Sequence, residues 1–481
     1  MIAIRRIFAD RFIAVLMLLL LWHYFSPWAI VVQRRLESFD TASKSDESSS
    51  ISTKPAEIPQ EPSRGGDYIE EKLGGSEETF LRLVGTASKP PNISRDGAIR
   101  MMYHIEKGED WLDLIEGQDD HIVQRYIYEK QHPPNCGSQR YLILNKFPGD
   151  DAFGLGAIVQ RISDYLSVAI QTNSILLYAT DTPPGEHFLS ENGAPCGRSL
   201  DCIFQELSNC SSKAQKGMTS NIQSAFSGEQ LDLDVEAFLA KHKYPIPLVF
   251  EEALKKIQPD VTREMLKYWW RAQAAAYIMR FNRNTSRRLK QFRLGEDTKQ
   301  LGIQWDVDGN PRDVNVSFPL PEGTISMHVR HGDKGSEMRL VPFNDYVVRA
   351  EKFTAENPLG NWKRAFLSTE DPNVIEQMKT MARITPFSYS GSNSRWTWYW
   401  TDIPRLNTGP ETQLKEFGNR TDLTIKWVLQ LVMAIECDVF VGTRGSGWNR
   451  LIDSLRCTWL ASCKQPFLEV GFEDDWMGYG P

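Results

Sequence analysis

Arg330, Asp333, Lys334 and Glu337 fall in one short stretch, Thr324-Ile-Ser-Met-His-Val-Arg-His-Gly-Asp-Lys-Gly-Ser-Glu337. A guanidinium keeps its charge at any physiological pH and can hold a phosphate through two parallel hydrogen bonds. A carboxylate a few residues on can accept a proton. On spacing alone, a surface turn with self-compensating charges explains the stretch equally well. A second loop, Gly442-Thr443-Arg444-Gly445-Ser446-Gly447, aims backbone N–H groups and a helix N-terminus outward, as an anion site requires. Gly154-Leu155-Gly156 lacks the third glycine of a dinucleotide fingerprint and reads first as a tight turn with close helix packing. Asp306-Val307-Asp308-Gly309 has the Asp-x-Asp form of a metal motif, but with Asn310-Pro311 behind it the stretch reads as a surface turn.

These loops need strands and helices to present them. Ile325 to Val329, largely apolar with β-branched ends, suits a short buried strand emptying into the Arg330 loop. Open α/β sheets build ligand sites at the carboxyl ends of their strands. Ala365 to Ser368 is a second strand, ending in Thr369-Glu370-Asp371-Pro372, where a helix begins (Val374, Ile375, Met378). Asp438 to Val441 is a third, running into the Ser446 loop and a helix bearing Leu451, Ile452 and Leu455. Helical spacing also marks Phe343 to Phe353 and Thr421 to Glu436. The Arg330 and Ser446 loops then face one crevice in a Rossmann-like half with a diphosphate site. Upstream, Tyr141 to Leu144, the turn Asn145 to Asp151, a helix after Gly154 and the strand Ser174 to Tyr178 form a βαβ module. Pro247 to Leu294 reads as helical, with Trp269-Trp270 as core rather than sugar platform.

The 481 residues exceed what one core fills, so two domains and an appendage are expected. A net charge of −7 argues against a nucleic-acid binder held by a basic surface. Phe12 to Val32 holds no charged residue and is long enough to span a bilayer as a helix. The reading is an uncleaved anchor over 1–35, with a cleaved signal peptide as competitor. From 36 to 105 Ser, Lys, Glu, Pro and Gly dominate, a flexible stem. Asn-x-Ser/Thr triplets at Asn92, Asn209, Asn284, Asn315 and Asn419 all follow the anchor and fit a luminal body. So do the cysteines: those in 196–210 and 457–463 look like loop staples, and Cys437, in an apolar run, is the candidate for the unpaired one. The pairing itself is open.

Four stretches, taken in order, resemble the α-1,6-fucosyltransferase family, membrane-anchored Golgi enzymes that core-fucosylate N-glycans, and their bacterial chitooligosaccharide counterparts. The Cys136 to Gln160 unit is similar to the family's strand followed by Gly-aromatic-Gly. Trp269-Trp270-x-x-Gln273-x-x-x-Tyr277-Ile278-x-Arg280 is similar to its Trp-Trp helix. His328-Val329-Arg330-x-x-Asp333-Lys334-x-x-Glu337 resembles its His-Val-Arg-Arg-x-Asp-Lys loop with the following Glu. Phe366-x-x-Thr369-Glu370-Asp371-Pro372 and Asp438-x-Phe440-Val441-x-Thr443-x-x-Ser446 resemble its two later donor-domain strands.

The resemblance implies a GT-B-like fold: an acceptor-side α/β domain over 106–320, a Rossmann-like donor domain over 321–463 and a tail over 464–481. It implies GDP-β-L-fucose as donor, a glycan or glycoprotein acceptor (the α-1,6 position of N-glycan core GlcNAc), inversion, no metal or other cofactor, and a luminal body on a single-pass type II Golgi anchor. Glu337 would be the general base, Lys334 its electrostatic partner, and Arg330, with Asp333 beside it, would face the departing diphosphate. His328, Glu370, Asp371, Gly445 and Ser446 would serve the donor, and Gly154 and Gly156 the acceptor side. With no bound cation, the charge leaving on GDP needs Arg330 and preorganised N–H donors, and the attacking hydroxyl needs a nearby carboxylate.

The chain departs from the pattern in places. His331 stands where the family has its second arginine, Leu155 replaces the aromatic residue, and the loop before Glu337 is one residue shorter. Gln430 aligns with the family's guanine-holding Asp, which bears on guanine selectivity. The family's C-terminal β-barrel module has no counterpart in 464–481, which bears on the acceptor. Two alternatives stay open: a fucosyltransferase for another acceptor, protein O-fucosylation included, and a catalytically silent glycan- or nucleotide-binding membrane protein.

Overall fold

A computed structural model describes residues 122–189, 199–211 and 246–471, apart from 258, 296, 306–309, 385–395 and 461–465, with residues 235, 237 and 238 in addition. The chain divides into two units, 1–61 and 62–481, and every described residue belongs to the second. The span expected at 12–32, the stem, the Asp306 to Gly309 turn and residues 472–481 lie outside the described residues. No helix among the described residues is long and apolar enough to cross a membrane.

The first half comprises α1 (Ile122–Gln131), β1 (Arg140–Leu144), α2 (Leu155–Gln171), β2 (Ser174–Tyr178), α3 (Leu248–Ile257), α4 (Arg263–Ile278) and α5 (Arg283–Arg293). β1 and β2 pair in parallel, with α2 as their crossover. Side-chain caps fix where the later helices begin: Thr262 accepts the Met265 N–H for α4, and Asn282 the Thr285 N–H for α5. Trp269 and Trp270 are buried, as core reading expects. Cys210 pairs with Cys136 rather than within 196–210. The bond lies in a small apolar cluster with Tyr141, Ile175 and Leu177, so it closes the face of β1 and β2 turned away from α2. Cys202 and Cys457 are also disulfide-bonded, while Cys437 is buried outside any disulfide.

The second half holds β3 (Gln300–Trp305), β4 (Pro311–Asn315), β5 (Thr324–Val329), α6 (Phe343–Glu356), β6 (Arg364–Thr369), α7 (Pro372–Ile384), β7 (Thr397–Thr401), α8 (Pro410–Glu416), α9 (Arg420–Ile435), β8 (Val439–Gly442), α10 (Gly447–Trp459) and β9 (Phe467–Glu469). They form a seven-stranded sheet, β4-β3-β7-β6-β5-β8-β9. The five strands from β7 to β9 are parallel; β3 and β4 are antiparallel additions. Starting from β5, the parallel part runs 3-2-1-4-5, the doubly wound order, with its switch point between β5 and β8. β3 and β4 precede residue 321 yet extend this sheet, and β9 comes from the expected tail. β7 is the aromatic run Thr-Trp-Tyr-Trp-Thr; its β-forming residues carry no polar alternation because the strand is buried on both faces.

All six residues of β5 are buried. Alternation turns Ile325, Met327 and Val329 into the core shared with α6 and α7, and Thr324, Ser326 and His328 to the opposite face. There a larger core runs continuously from α1 through α2, α4 and α5 to α9 and α10. It joins both halves, so the loops at the carboxyl ends of β1, β5, β6 and β8 are carried on one packed body.

Candidate functional site

Parallel strands bring their carboxyl ends to one edge, and the expected residues gather there. Arg330 follows β5 directly. Its guanidinium donates to Glu370 Oε1, to Asp333 Oδ1 and, at 3.1 Å, to the His331 carbonyl. Burial works against its charge, but the Glu370 and Asp333 carboxylates outweigh it and hold the group above the ordinary arginine value. The positive charge expected to face a diphosphate is thus already met by two carboxylates of the protein. Glu370 also accepts the His331 N–H.

His331 is more than a substitute in the motif. Its Nδ1 lies 2.8 Å from Asp371 Oδ2 and its Nε2 3.1 Å from the Val341 carbonyl. It therefore ties the start of the 331–341 loop to that loop's exit and to the end of β6. Asp371 also accepts the Asn373 N–H at 2.9 Å, capping α7, so its work is positional.

Gly332 has φ +59°, and a Cβ there would stand 2.8 Å from the Thr408 carbonyl oxygen. Only glycine fits this turn. Its N–H donates to Asn407 Oδ1 at 2.7 Å. The short turn Gly332–Ser336 then presents Lys334 and Glu337. Lys334 Nζ donates to Glu337 Oε2; the Glu337 side chain is 58% exposed and that of Lys334 only 15%. Solvent thus reaches this carboxylate, whereas the lysine side chain is recessed. Of the expected base and its partner, the structure makes a contact pair.

His328 is buried, its Nδ1 2.9 Å from Ser368 Oγ. Burial, helped by the Arg330 charge, lowers its pKa to about 3, so it meets any ligand as a neutral ring. Its ring centroid lies 6.3 Å from that of Trp448, in the first turn of α10. Across the switch point, the Ser446 loop packs on the Glu337 loop: a Cβ at Gly445 would lie 2.8 Å from Met338 Sδ. Ser446 is the N-cap of α10 but makes no capping bond, and its buried hydroxyl meets no partner in the described structure.

The Gly154-Leu155-Gly156 turn arrives from the other half. Gly154 is the N-cap of α2, and a Cβ on Gly156 would stand 2.5 Å from the Gly447 carbonyl oxygen. Two helix N-termini, α2 and α10, therefore abut at a glycine–glycine contact beside the Glu337 loop. Gln430 is buried on α9 among core-facing neighbours.

Several residues in and around the loops that follow the parallel strands escape a motif reading. Arg405, from the proline-bearing 401–410 loop, donates to the carbonyls of Thr369 (3.0 Å), Ile403 (2.7 Å) and Thr401 (2.7 Å), fastening the ends of β6 and β7. Arg450, one turn into α10, donates to the Arg444 carbonyl and to Gln160 Oε1 of α2 at 3.3 Å. Burial and then Arg271 lower its pKa to about 10, with Glu337 acting against them. Asp150, after β1, is fully buried; it accepts the Gly185 N–H at 2.8 Å, and burial raises its pKa to about 6. Next to it Lys146 pairs with Asp151 (2.8 Å) and Glu186 (2.9 Å). A lone arginine or aspartate gives no periodic signal of its own, so only the fold finds them. Among the described residues no group of three or more His, Cys, Asp or Glu is placed to hold a metal ion.

No family model matches the sequence. Among solved structures, the chain is similar to a mutant of Arabidopsis thaliana FUT1 in complex with GDP, at 11% sequence identity and a TM-score of 0.33, over 75% of this chain and 76% of that one. At that score the likeness decides nothing about chemistry.

Proposed function

We propose that this protein is an inverting, metal-independent glycosyltransferase of GT-B-like architecture that moves L-fucose from GDP-fucose to a glycan hydroxyl, the α-1,6 position of N-glycan core GlcNAc. The observation that carries the reading is the exposed Glu337 carboxylate, paired with a recessed Lys334, on a loop that begins at Arg330 beside the switch point of a doubly wound sheet. The ordered motifs of the sequence supply the donor and acceptor identities.

In this reading the acceptor hydroxyl attacks the anomeric carbon opposite the diphosphate and gives its proton to Glu337. The departing GDP takes up negative charge, which is met by the N–H groups where α2 and α10 begin and by Arg330. Because Arg330 is already paired, a diphosphate oxygen must take the place of a carboxylate oxygen. Asp333, 35% exposed, is the partner that can swing away; Glu370, at 12%, is held. The body is luminal, held on the Golgi membrane by residues 12–32, and no nucleic acid is a partner.

Thermal protection tests the donor. Protection grows with ligand concentration over its dissociation constant. The full chain in detergent should be protected by GDP and GDP-fucose in chelator, and much less by UDP or CMP. Equal protection by all three nucleotides, or none by GDP, would remove the donor assignment.

A further inference from the structure

The fold sorts the Asn-x-Ser/Thr triplets unequally. Asn209 is half-buried against the Cys136–Cys210 bond, its amide nitrogen donating to the Pro133 carbonyl at 3.2 Å. Asn315 is the opposite case: it ends β4, it is exposed, and so is Ser317, the third residue of its triplet. Val314 and Val316 pack against the larger core, so strand alternation turns Asn315 away from it.

The place of β4 gives that exposure a consequence. β4 is the outermost strand of the seven-stranded sheet, and no described strand pairs with its outer side. Such an edge is a template for strand addition, and proteins block it with proline, charge or cover. Pro311, Arg312 and Asp313 guard the first half of β4. Its last two residues, Val314 and Asn315, and the Val316 that follows have neither charge nor proline. We propose that Asn315 carries an N-linked glycan and that this glycan shields the open half of the β4 edge from pairing with another chain.

The inference rests on the luminal placement of the body and goes beyond the transferase reading. The donor would be a polyprenyl-diphosphate oligosaccharide. The Asn315 amide nitrogen forms a bond to the anomeric carbon as the carbon–oxygen bond to diphosphate breaks. Polyprenyl diphosphate leaves, and the amide proton passes to a base of the transferring enzyme; nothing is oxidised or reduced.

The full chain, made in a eukaryotic secretory host, is treated with peptide N-glycosidase F in heavy-oxygen water and its peptides are read by mass spectrometry. The expected result is heavy-oxygen label at Asn315 and none at Asn209. Label at Asn284 or Asn419 with Asn315 unmodified would overturn the site while leaving the luminal placement standing; label nowhere would overturn both. Asn315→Gln and Ser317→Ala remove the triplet by separate routes at exposed positions. Each should lose one glycan's step in gel mobility and scatter more light on mild heating. A variant that loses the glycan yet aggregates no faster than the parent would overturn the shielding role.

Discussion

Arg330 is a cation whose charge is spoken for before any ligand arrives, by one half-exposed carboxylate, Asp333, and one recessed one, Glu370. The two should separate on substitution. Asp333→Asn removes the competitor that a diphosphate must displace, so GDP should bind as tightly as in the parent or tighter. Glu370→Ala takes away an oxygen bonded both to Arg330 and to the His331 N–H, so it should weaken GDP and lower stability together. Isothermal titration beside thermal melts reads both; weaker GDP binding in Asp333→Asn would contradict the exchange. Asp150 gives a pH test. Its carboxyl is raised from an ordinary value of 3.8 to about 6 by burial, so between those values the folded state binds the proton more tightly than the unfolded one. Stability from this group is full below pH 4 and is lost as pH rises through 6. Asp150→Asn should therefore gain on the parent above pH 6, by on the order of 1–3 kcal/mol, and show no such gain near pH 4. A stability difference that does not change with pH would reject the account of Asp150.

Between elements, the decisive contact is that of α2 with α10. Gly156→Ala drives a methyl group into the Gly447 carbonyl, and neither helix backbone can yield without moving the Ser446 loop. Overpacking of this kind costs about 1–3 kcal/mol, and GDP binding should fall with it. Gly154→Ala is the control. Its φ of −72° is ordinary and nothing stands within 4 Å of the new Cβ. A small loss at the N-cap and a small gain in chain entropy should leave it within about 0.5 kcal/mol of the parent. Urea melts of the two variants check the contrast, and equal costs would mean that the helices are not in contact through Gly156.

At the scale of the whole molecule, the two described halves are joined by a large apolar core and by a buried ion pair. Arg293 and Glu436 have 1% and 0% exposed side chains and meet through two hydrogen bonds of 2.9 and 2.8 Å. Glu436 also accepts the Leu320 N–H, so the pair fixes α5, the end of α9 and the chain entering β5. Glu436→Gln should cost about 3–5 kcal/mol, because it strands a buried guanidinium. Much of this architecture is legible in the sequence: β1, β2, β5, β6 and β8 and the helices α2, α6, α7, α9 and α10 follow from apolar spacing and from glycine or proline at their ends. β3, β4 and β9 are not, since the edge strands β4 and β9 and the half-exposed β3 carry little pattern, and β7 hides in an aromatic run. In the site, Arg330, Lys334 and Glu337 stand out because they share one short stretch. Arg405, Arg450 and Asp150 do not, because each gains its role only from a partner distant in sequence: Thr369, Gln160 and Gly185. The claim that most depends on all of this is that Glu337 takes the acceptor's proton. Fucose transfer from GDP-fucose to an N-glycan, followed in chelator for the parent and for Glu337→Gln, tests it directly. The account predicts a loss of about 10²–10⁴-fold in the variant with GDP binding intact, and turnover at the parent's rate would contradict it.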